Sequence, residues 1–120
     1  MKSLVLGLLA AVAICGAASA DISGLVGNTV IGSTPDGLTR RIMLRADGSF
    51  RISVTDGSVS TGTWTVQGTR LCYARTDPKP PPGGQAVLCV EGLDGHKVGD
   101  RWMATGHQNM PMTMSIVAGQ

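Results

Sequence analysis

Hydrophobic and polar residues alternate along most of the chain after residue 27, and turn-forming dipeptides interrupt the alternation every eight to twelve residues. The clearest case is the segment 38–55, in which two alternating runs flank Asp47-Gly48. This dipeptide favours the positive backbone φ angles of a tight hairpin turn. Ile42 and Leu44 fall on one face of the first run, and Arg40 interrupts that face. The pattern predicts an antiparallel hairpin with one apolar side.

The same alternation predicts about eight strands, and no stretch shows helical periodicity beyond a short turn at 21–27. The predicted strands span residues 28–32, 38–45, 50–55, 61–66, 71–75, 85–91, 101–105 and 112–117. The proline-rich segment 76–84 cannot pair in a sheet, so we expect an exposed loop there. Closure of the sheet removes the exposed edges of short antiparallel strands. The predicted fold class is therefore all-β, a small antiparallel β-barrel or sandwich of about eight strands.

The first twenty residues have the features of a secretory signal peptide. Lys2 supplies the positive start, residues 4–14 form an apolar run, and Ala18-Ser19-Ala20 matches the small-residue cleavage pattern. The apolar run is short for a bilayer span. We therefore predict a signal peptide over 1–20 and a single β-domain over 21–120. The domain has no membrane span after cleavage, and its predicted location is the periplasm or the extracellular medium.

Length and charge exclude several classes of protein. A chain of 120 residues accommodates one domain. The net charge of +2 is too small for a nucleic-acid-binding face. The chain is 42% hydrophobic and only 15% charged, which argues against disorder. We expect a folded domain whose partner is a protein or a small molecule and not a nucleic acid.

Removal of the predicted signal peptide also removes Cys15 and leaves two cysteines, Cys72 and Cys89. An even number of cysteines in an exported chain indicates a disulfide. A pair of free thiols and a metal site are the alternatives, although the chain has no C-x-x-C spacing typical of zinc sites. A bridge that closes the loop between Cys72 and Cys89 stabilises a fold by roughly 3 kcal/mol. We predict a Cys72–Cys89 disulfide.

Several short motifs occur in a characteristic order. They are LVGNTVIG at 25–32, ADGSF at 46–50, GTWTVQGTRLCY at 62–73, VLCVEG at 87–92 and a final AG at 118–119. This order resembles a family of small exported proteobacterial proteins of unknown function. The resemblance implies a small exported β-domain with one disulfide and implies no activity. Gly62-Thr63-Trp64 is also similar to the G-x-W motif of lipocalins and avidin-like barrels, where it lies on the first strand, so the likeness to calycins is loose and implies no ligand.

Methionines alternate near the C-terminus, at Met110, Met112 and Met114, so that in a strand they share one face. Thioether sulfur suits Cu(I), and imidazole also binds copper, so these residues and His107 form a candidate Cu(I) site. Trp102, across the predicted turn at 106–109, is placed to cap a bound cation. The alternatives are plain core packing, since Met fills irregular cores well, and an adaptable binding surface.

Arginines cluster on the two strands of the first hairpin. The candidate ligand or partner face consists of Arg40, Arg41, Arg45 and Arg51 together with Trp102. Arginine favours carboxylate recognition, so this face suits an acidic partner. The alternative is a solvated outer face of the sheet.

Evidence for catalysis is weak, because the chain has neither a G-x-S-x-G nor an H-E-x-x-H motif. Asp47, Asp56 and Asp94 each precede glycine, so turn formation explains them. His96 follows the third of these turns, and we expect it to be a solvated loop residue. The predicted function is a non-enzymatic exported binding module of unknown ligand. The alternatives are a periplasmic Cu(I)-binding protein and, third, an uncharacterised enzyme.

Overall fold

The computed structural model describes residues 19–105 and 109–120, and within these residues the protein is all-β without helices. Its strands are β1 (Thr29–Ser33), β2 (Thr39–Leu44), β3 (Ser49–Val54), β4 (Val59–Gln67), β5 (Arg70–Asp77), β6 (Val87–Val90), β7 (Arg101–Thr105) and β8 (Pro111–Val117). Each corresponds to a strand predicted from the alternation. Most of the predicted signal peptide, and residues 106–108 of the predicted last turn, lie outside the described residues.

The eight strands form one antiparallel sheet in the order β6-β5-β4-β3-β2-β1-β8-β7. The sheet curls into a half-barrel, so the curvature is that of a barrel and not of a two-sheet sandwich. Closure is incomplete, because β6 and β7 are the two edges and do not pair with each other. A cleft of about 550 Å³ separates them, lined from one side by Leu88 and Val90 and from the other by Ala104 and Thr105.

Two of the predicted turns are held by an aspartate that precedes glycine. In the β2–β3 turn, the Asp47 carboxylate accepts hydrogen bonds from the Ser49 amide (2.9 Å) and the Ser49 hydroxyl (2.6 Å). Asp56 makes the same two contacts with Ser58 in the β3–β4 turn. Gly48 follows with φ of 91°, a left-handed conformation that glycine adopts without strain. Turn formation therefore accounts for both carboxylates.

Side chains alternate between an inner, concave face and an outer face of the sheet. The register places Ile42 opposite Ile52 and Val30 opposite Ile116, and all four point inward. The buried residues of the core are Ile22, Leu25, Val30, Ile42, Leu44, Phe50, Leu71, Tyr73, Leu93, Met114 and Ile116. On β4 the exposed Thr63 and Thr65 lie on the outer face, as the alternation predicts.

The N-terminal segment 20–27 covers one end of the half-barrel. Its backbone hydrogen-bonds to the β4–β5 turn, from the Ala20 amide to the Gly68 carbonyl at 2.8 Å, and to the end of β2, from the Gly27 amide to the Leu44 carbonyl at 2.9 Å. Leu25 of this segment is fully buried in the core. One end of the concave face is therefore filled, and any cavity lies toward the other end.

The predicted disulfide is present. Cys72 on β5 and Cys89 on β6 are directly opposite each other, with Cα atoms 4.0 Å apart. The bridge ties the edge strand β6 to the rest of the sheet and is typical of exported proteins. Within residues 19–105 and 109–120, no helix has the length and apolar character that a membrane crossing needs.

Candidate functional site

A cavity of about 600 Å³ occupies the concave face of the sheet at the end away from segment 20–27. Its rim includes Asp36 in the β1–β2 turn, Gln85 in the β5–β6 loop and Thr105 at the end of β7. All three of these residues are exposed to solvent, so the cavity opens to the outside. Its volume falls in the range of natural small-molecule sites.

The walls of this cavity are largely apolar. Ile42, Phe50 and Ile52 line one side, and Met112 and Met114 line the other. They come from β2, β3 and β8, whose inward positions converge because the sheet is curled. Such a wall favours an apolar ligand, since burial of apolar surface gives roughly 25 cal/mol per Å².

Tyr73 supplies a polar group within this apolar wall. Its side chain is 8% exposed, and its ring packs edge to face against Phe50 with centroids 5.2 Å apart. Among the described residues, nothing hydrogen-bonds to the buried Tyr73 hydroxyl. Burial raises the pKa of this phenol well above its ordinary value, so the hydroxyl remains a neutral donor. An unsatisfied buried hydroxyl costs about 1–3 kcal/mol, which a ligand acceptor would recover.

Two arginines also line the cavity, Arg75 from β5 and Arg40 from β2. Arg75 lies two residues beyond Tyr73 on the same strand, and therefore on the same inward face. In the described part of the chain, the single ion pair within 4.0 Å is between His96 and Asp100. Both cavity arginines thus lack a carboxylate within that distance.

Two carboxylates near the cavity are bound by other groups. Asp36 accepts hydrogen bonds from the Thr34 hydroxyl and, at 3.2 Å, from the Leu38 amide. The Thr34 hydroxyl is the main cause of the lowered pKa of Asp36, and Arg40 adds a smaller electrostatic contribution. Glu91 accepts a hydrogen bond of 3.2 Å from the Thr69 hydroxyl. The positive charge of Arg40 is therefore partly compensated by the nearby Asp36 carboxylate.

The three alternating methionines all reach the cavity. Met114 is 3% exposed, whereas Met110 is 36% exposed at the rim. Gly32 makes room for them, since a Cβ there would lie 2.6 Å from the Met112 methyl and 3.1 Å from the Met114 sulfur. His107 lies outside the described residues. Core packing and a thioether site both remain consistent with these positions.

The four arginines of the predicted partner face do not share one surface. Arg40 lines the cavity, whereas Arg41 and Arg51 are exposed on the outer face and Arg45 is exposed in the β2–β3 turn. Arg40 has the same inward orientation as Ile42, so it continues the inner face at the rim and does not interrupt it. The arginine that sequence reasoning treated as an exception is thus the one that reaches the cavity.

Trp102 is half-buried on the inner face, opposite Met114. Its indole stacks on His96, with centroids 3.5 Å apart and an interplanar angle of 4°. His96 lies in a loop, as expected, but it is half-buried against Trp102 and not fully solvated. His96 Nδ1 also lies 3.3 Å from the carboxylate of Asp100, the residue that directly precedes β7. The Trp102 Nε1 is buried without a partner among the described residues.

Sequence reasoning did not single out Tyr73 or Arg75. The signal was present, because the bridging Cys72 faces outward with Cys89 and its neighbour Tyr73 must then face inward. Residue 75 shares that face by the period of two. A tyrosine and an arginine at consecutive inward positions of a short strand are a polar feature in an otherwise apolar face.

The chain matches no protein-family model, and comparisons with curated proteins and with solved structures find no match. The resemblance to the exported proteobacterial family therefore stays a prediction, as does the looser one to calycins. Function has to be argued from the cavity and its side chains.

Proposed function

We propose that this protein is an exported, non-enzymatic binding module that takes a small, largely apolar molecule into the half-barrel cavity. The signal-peptide features of residues 1–20 and the disulfide favour a periplasmic location. A lack of recognisable catalytic motifs favours binding over catalysis. The ligand reaches the cavity through the open end of the sheet, at the rim formed by Asp36, Gln85 and Thr105.

The buried Tyr73 hydroxyl carries this proposal. Buried polar groups are nearly always hydrogen-bonded in folded proteins. Tyr73 lines a solvent-open cavity, and its hydroxyl, which is itself shielded from solvent, has no partner within the described ranges. An apolar cavity with one or two oriented polar groups is the usual form of a small-molecule site.

Fluorescence titration of the exported protein with Nile red, an uncharged probe of apolar sites, tests the proposal. Ser60 lines the cavity on β4, and Ser60→Phe would fill part of it. Thr63→Phe places the same ring on the outer face of the same strand and is the matched control. We expect saturable probe binding in the wild type and in Thr63→Phe, and at least a tenfold weaker affinity in Ser60→Phe. Equal binding by both variants would contradict the proposal.

A Cu(I)-binding role is the second candidate, favoured by the three thioethers of Met110, Met112 and Met114 on one cavity. Thioethers are soft ligands that suit Cu(I) over Zn(II). Met→Leu nearly conserves volume and costs less than about 1.5 kcal/mol in a core. Cu(I) competition titration of Met112→Leu/Met114→Leu decides between the two roles. A loss of copper binding with an intact fold supports the metal role, and binding weaker than micromolar in the wild type excludes it.

The matched control for that titration is Met43→Leu/Met103→Leu. Met103 is 66% exposed and alternates with the inward Ala104, so it lies on the outer face. Met43 also lies on the outer face, because it alternates with the inward Ile42 and Leu44. Copper binding that falls equally in both double variants would indicate nonspecific thioether binding and not a site in the cavity.

A further inference from the structure

Tyr73 and Arg75 both line the cavity; Arg75 carries only hydrogen-bond donors, and the Tyr73 hydroxyl can donate one hydrogen bond. They are two residues apart on β5, so their Cα atoms are about 7 Å apart on one face of the strand. A guanidinium is always charged and donates through a planar fork, with no acceptor. The Tyr73 phenol stays protonated in its buried position. The chemical complement of these two groups is an anionic oxygen cluster.

The two cavity arginines differ in their electrostatic surroundings. Arg40 contributes to the lowered pKa values of Asp36 and Asp56, in each case after the hydrogen bonds from Thr34 and Ser58, respectively. It therefore has negative charges close by. Arg75 has no carboxylate within 4.0 Å among residues 19–105 and 109–120. Asp36 and Glu91 also line the cavity, so its formal charges balance, and Arg75 is the arginine that neither contacts a described carboxylate nor lowers the pKa of one.

Arg75 is also half-buried, and it lines the cavity beside apolar residues. A half-buried charge without a counter-ion is less well solvated than one on the surface, and it gains more from a bound anion. Hydrogen bonds that involve a charged group contribute roughly twice as much as neutral ones. The position of Arg75 thus favours an anion held beside an apolar body.

We infer that the ligand is an amphiphile with an aliphatic body and one anionic head group, a carboxylate or a phosphate monoester. The guanidinium of Arg75 and the hydroxyl of Tyr73 bind the head group. Ile42, Ile52 and Met112 contact the aliphatic body. This inference rests on the proposed function, since it names the class of molecule that the same cavity binds.

Displacement of Nile red from the exported protein by three ligands of equal chain length tests the inference. The ligands are dodecanoate, dodecyl phosphate and the uncharged dodecanol, used below their micellar concentrations. We expect at least one of the two anions to displace the probe at about one tenth of the dodecanol concentration or less, since a charge-assisted contact is worth at least a factor of ten. The preferred anion identifies the head group.

Three variants locate the effect. Arg75→Gln should weaken the affinity for the preferred anion by about tenfold or more and leave the affinity for dodecanol unchanged. Tyr73→Phe should weaken the affinity for the anion by a smaller factor. Arg51→Gln removes one positive charge from the outer face and should change the affinity for neither the anion nor dodecanol. Circular dichroism of each variant confirms that the sheet is intact. Because Tyr73→Phe removes one oxygen atom, it keeps the test decisive if Arg75→Gln fails to fold.

The outcomes separate this inference from the function on which it rests. Equal affinity for dodecanol and both anions, or anion binding that is insensitive to Arg75→Gln and Tyr73→Phe, overturns the anionic head group but leaves an apolar binding module. A wild type that binds neither Nile red nor any of the three ligands overturns the proposed function itself.

Discussion

The rings of Phe50 and Tyr73 meet edge to face, with centroids 5.2 Å apart and an interplanar angle of 70°. Phe50 lies on β3 and Tyr73 on β5, so the contact spans β4. There Gly62 is opposite Phe50, and a Cβ on Gly62 would lie only 2.7 Å from Cε2 of the Phe50 ring. Such aromatic pairs contribute about 0.5–1.5 kcal/mol beyond the area they bury. The pair fixes the tyrosine ring without using its hydroxyl, which leaves that hydroxyl for a ligand.

Tyr73→Phe is expected to stabilise the ligand-free protein by about 1 kcal/mol. The change removes a buried hydroxyl that has no partner in the described chain and keeps the ring contact with Phe50. Urea unfolding measures the difference. Tyr73→Leu is the control that loses the aromatic contact and should be less stable than the wild type. A destabilised Tyr73→Phe protein would show that the hydroxyl is satisfied in solution.

Gly62→Ala is expected to destabilise the fold by about 1–3 kcal/mol. A Cβ at this position would lie 2.1 Å from the Ala74 carbonyl oxygen and 2.7 Å from Cε2 of Phe50. The first of these atoms belongs to the backbone of the paired strand and cannot move aside cheaply. Ser60→Ala, two residues earlier on the same face, is the control and should cost far less. A Gly62→Ala protein as stable as this control would contradict the close approach of β4 and β5.

Removal of the Cys72–Cys89 bridge is expected to cost about 2–5 kcal/mol, because it releases a constraint on the unfolded chain and frees the edge strand β6. Urea unfolding of the Cys72→Ala/Cys89→Ala variant and of the wild type measures this difference in the free energy of unfolding. Wild-type protein treated with a reductant should lose the same stability, whereas the variant should be insensitive to it. Free thiols in the unfolded, unreduced protein would disprove the pairing.

Acid is expected to weaken the two Asp-Gly turns. Hydrogen bonds from the hydroxyls of Ser49 and Ser58, and then from their amides, hold the pKa values of Asp47 and Asp56 below their ordinary value. A carboxyl whose pKa is lower in the folded state stabilises the fold above its unfolded pKa of about 3.9. That contribution is lost as the pH falls through the lowered folded value.

The Asp47→Asn/Asp56→Asn variant checks this pH dependence. An asparagine keeps an acceptor oxygen for the turn but does not titrate, so the variant should lose less stability than the wild type between about pH 5 and pH 2. Ser49→Ala/Ser58→Ala removes the hydroxyl donors but keeps the backbone amide donors, so it should flatten the same pH profile in part. Parallel profiles for all three proteins would mean that these turns do not contribute to acid sensitivity.

The strands and turns were predictable because their signals are local. Alternation at Phe50 and Ile52 and the turn chemistry of Asp47-Gly48 lie within a few residues of each other, and the structure confirms the hairpin that they predict. The disulfide followed from the cysteine count. Incomplete closure was not predictable, since whether β6 and β7 pair depends on the curvature of the whole sheet.

The cavity was hidden from sequence reasoning for the same reason. Arg40 and Arg75 are separated by 35 positions, yet both line it because the curl of the sheet brings β2 and β5 to face a common space. In the sequence, Arg40 interrupts an otherwise apolar face. The alternation does not show that this end of the face is the open rim of the cavity, where a charged side chain can reach solvent. Met112 and Met114 share the inward face of β8, as alternation within a strand requires.

Isotope-labelled methionine methyl groups, observed by nuclear magnetic resonance, test the central claim most directly. Met110, Met112 and Met114 line the cavity, whereas Met43 and Met103 lie on the outer face and serve as internal controls. On titration with dodecanoate or dodecyl phosphate, the account predicts saturable shifts of the three cavity methyl signals and unchanged outer signals. Shifts confined to Met43 and Met103, or no shift at any methionine, would contradict a ligand site in the half-barrel cavity.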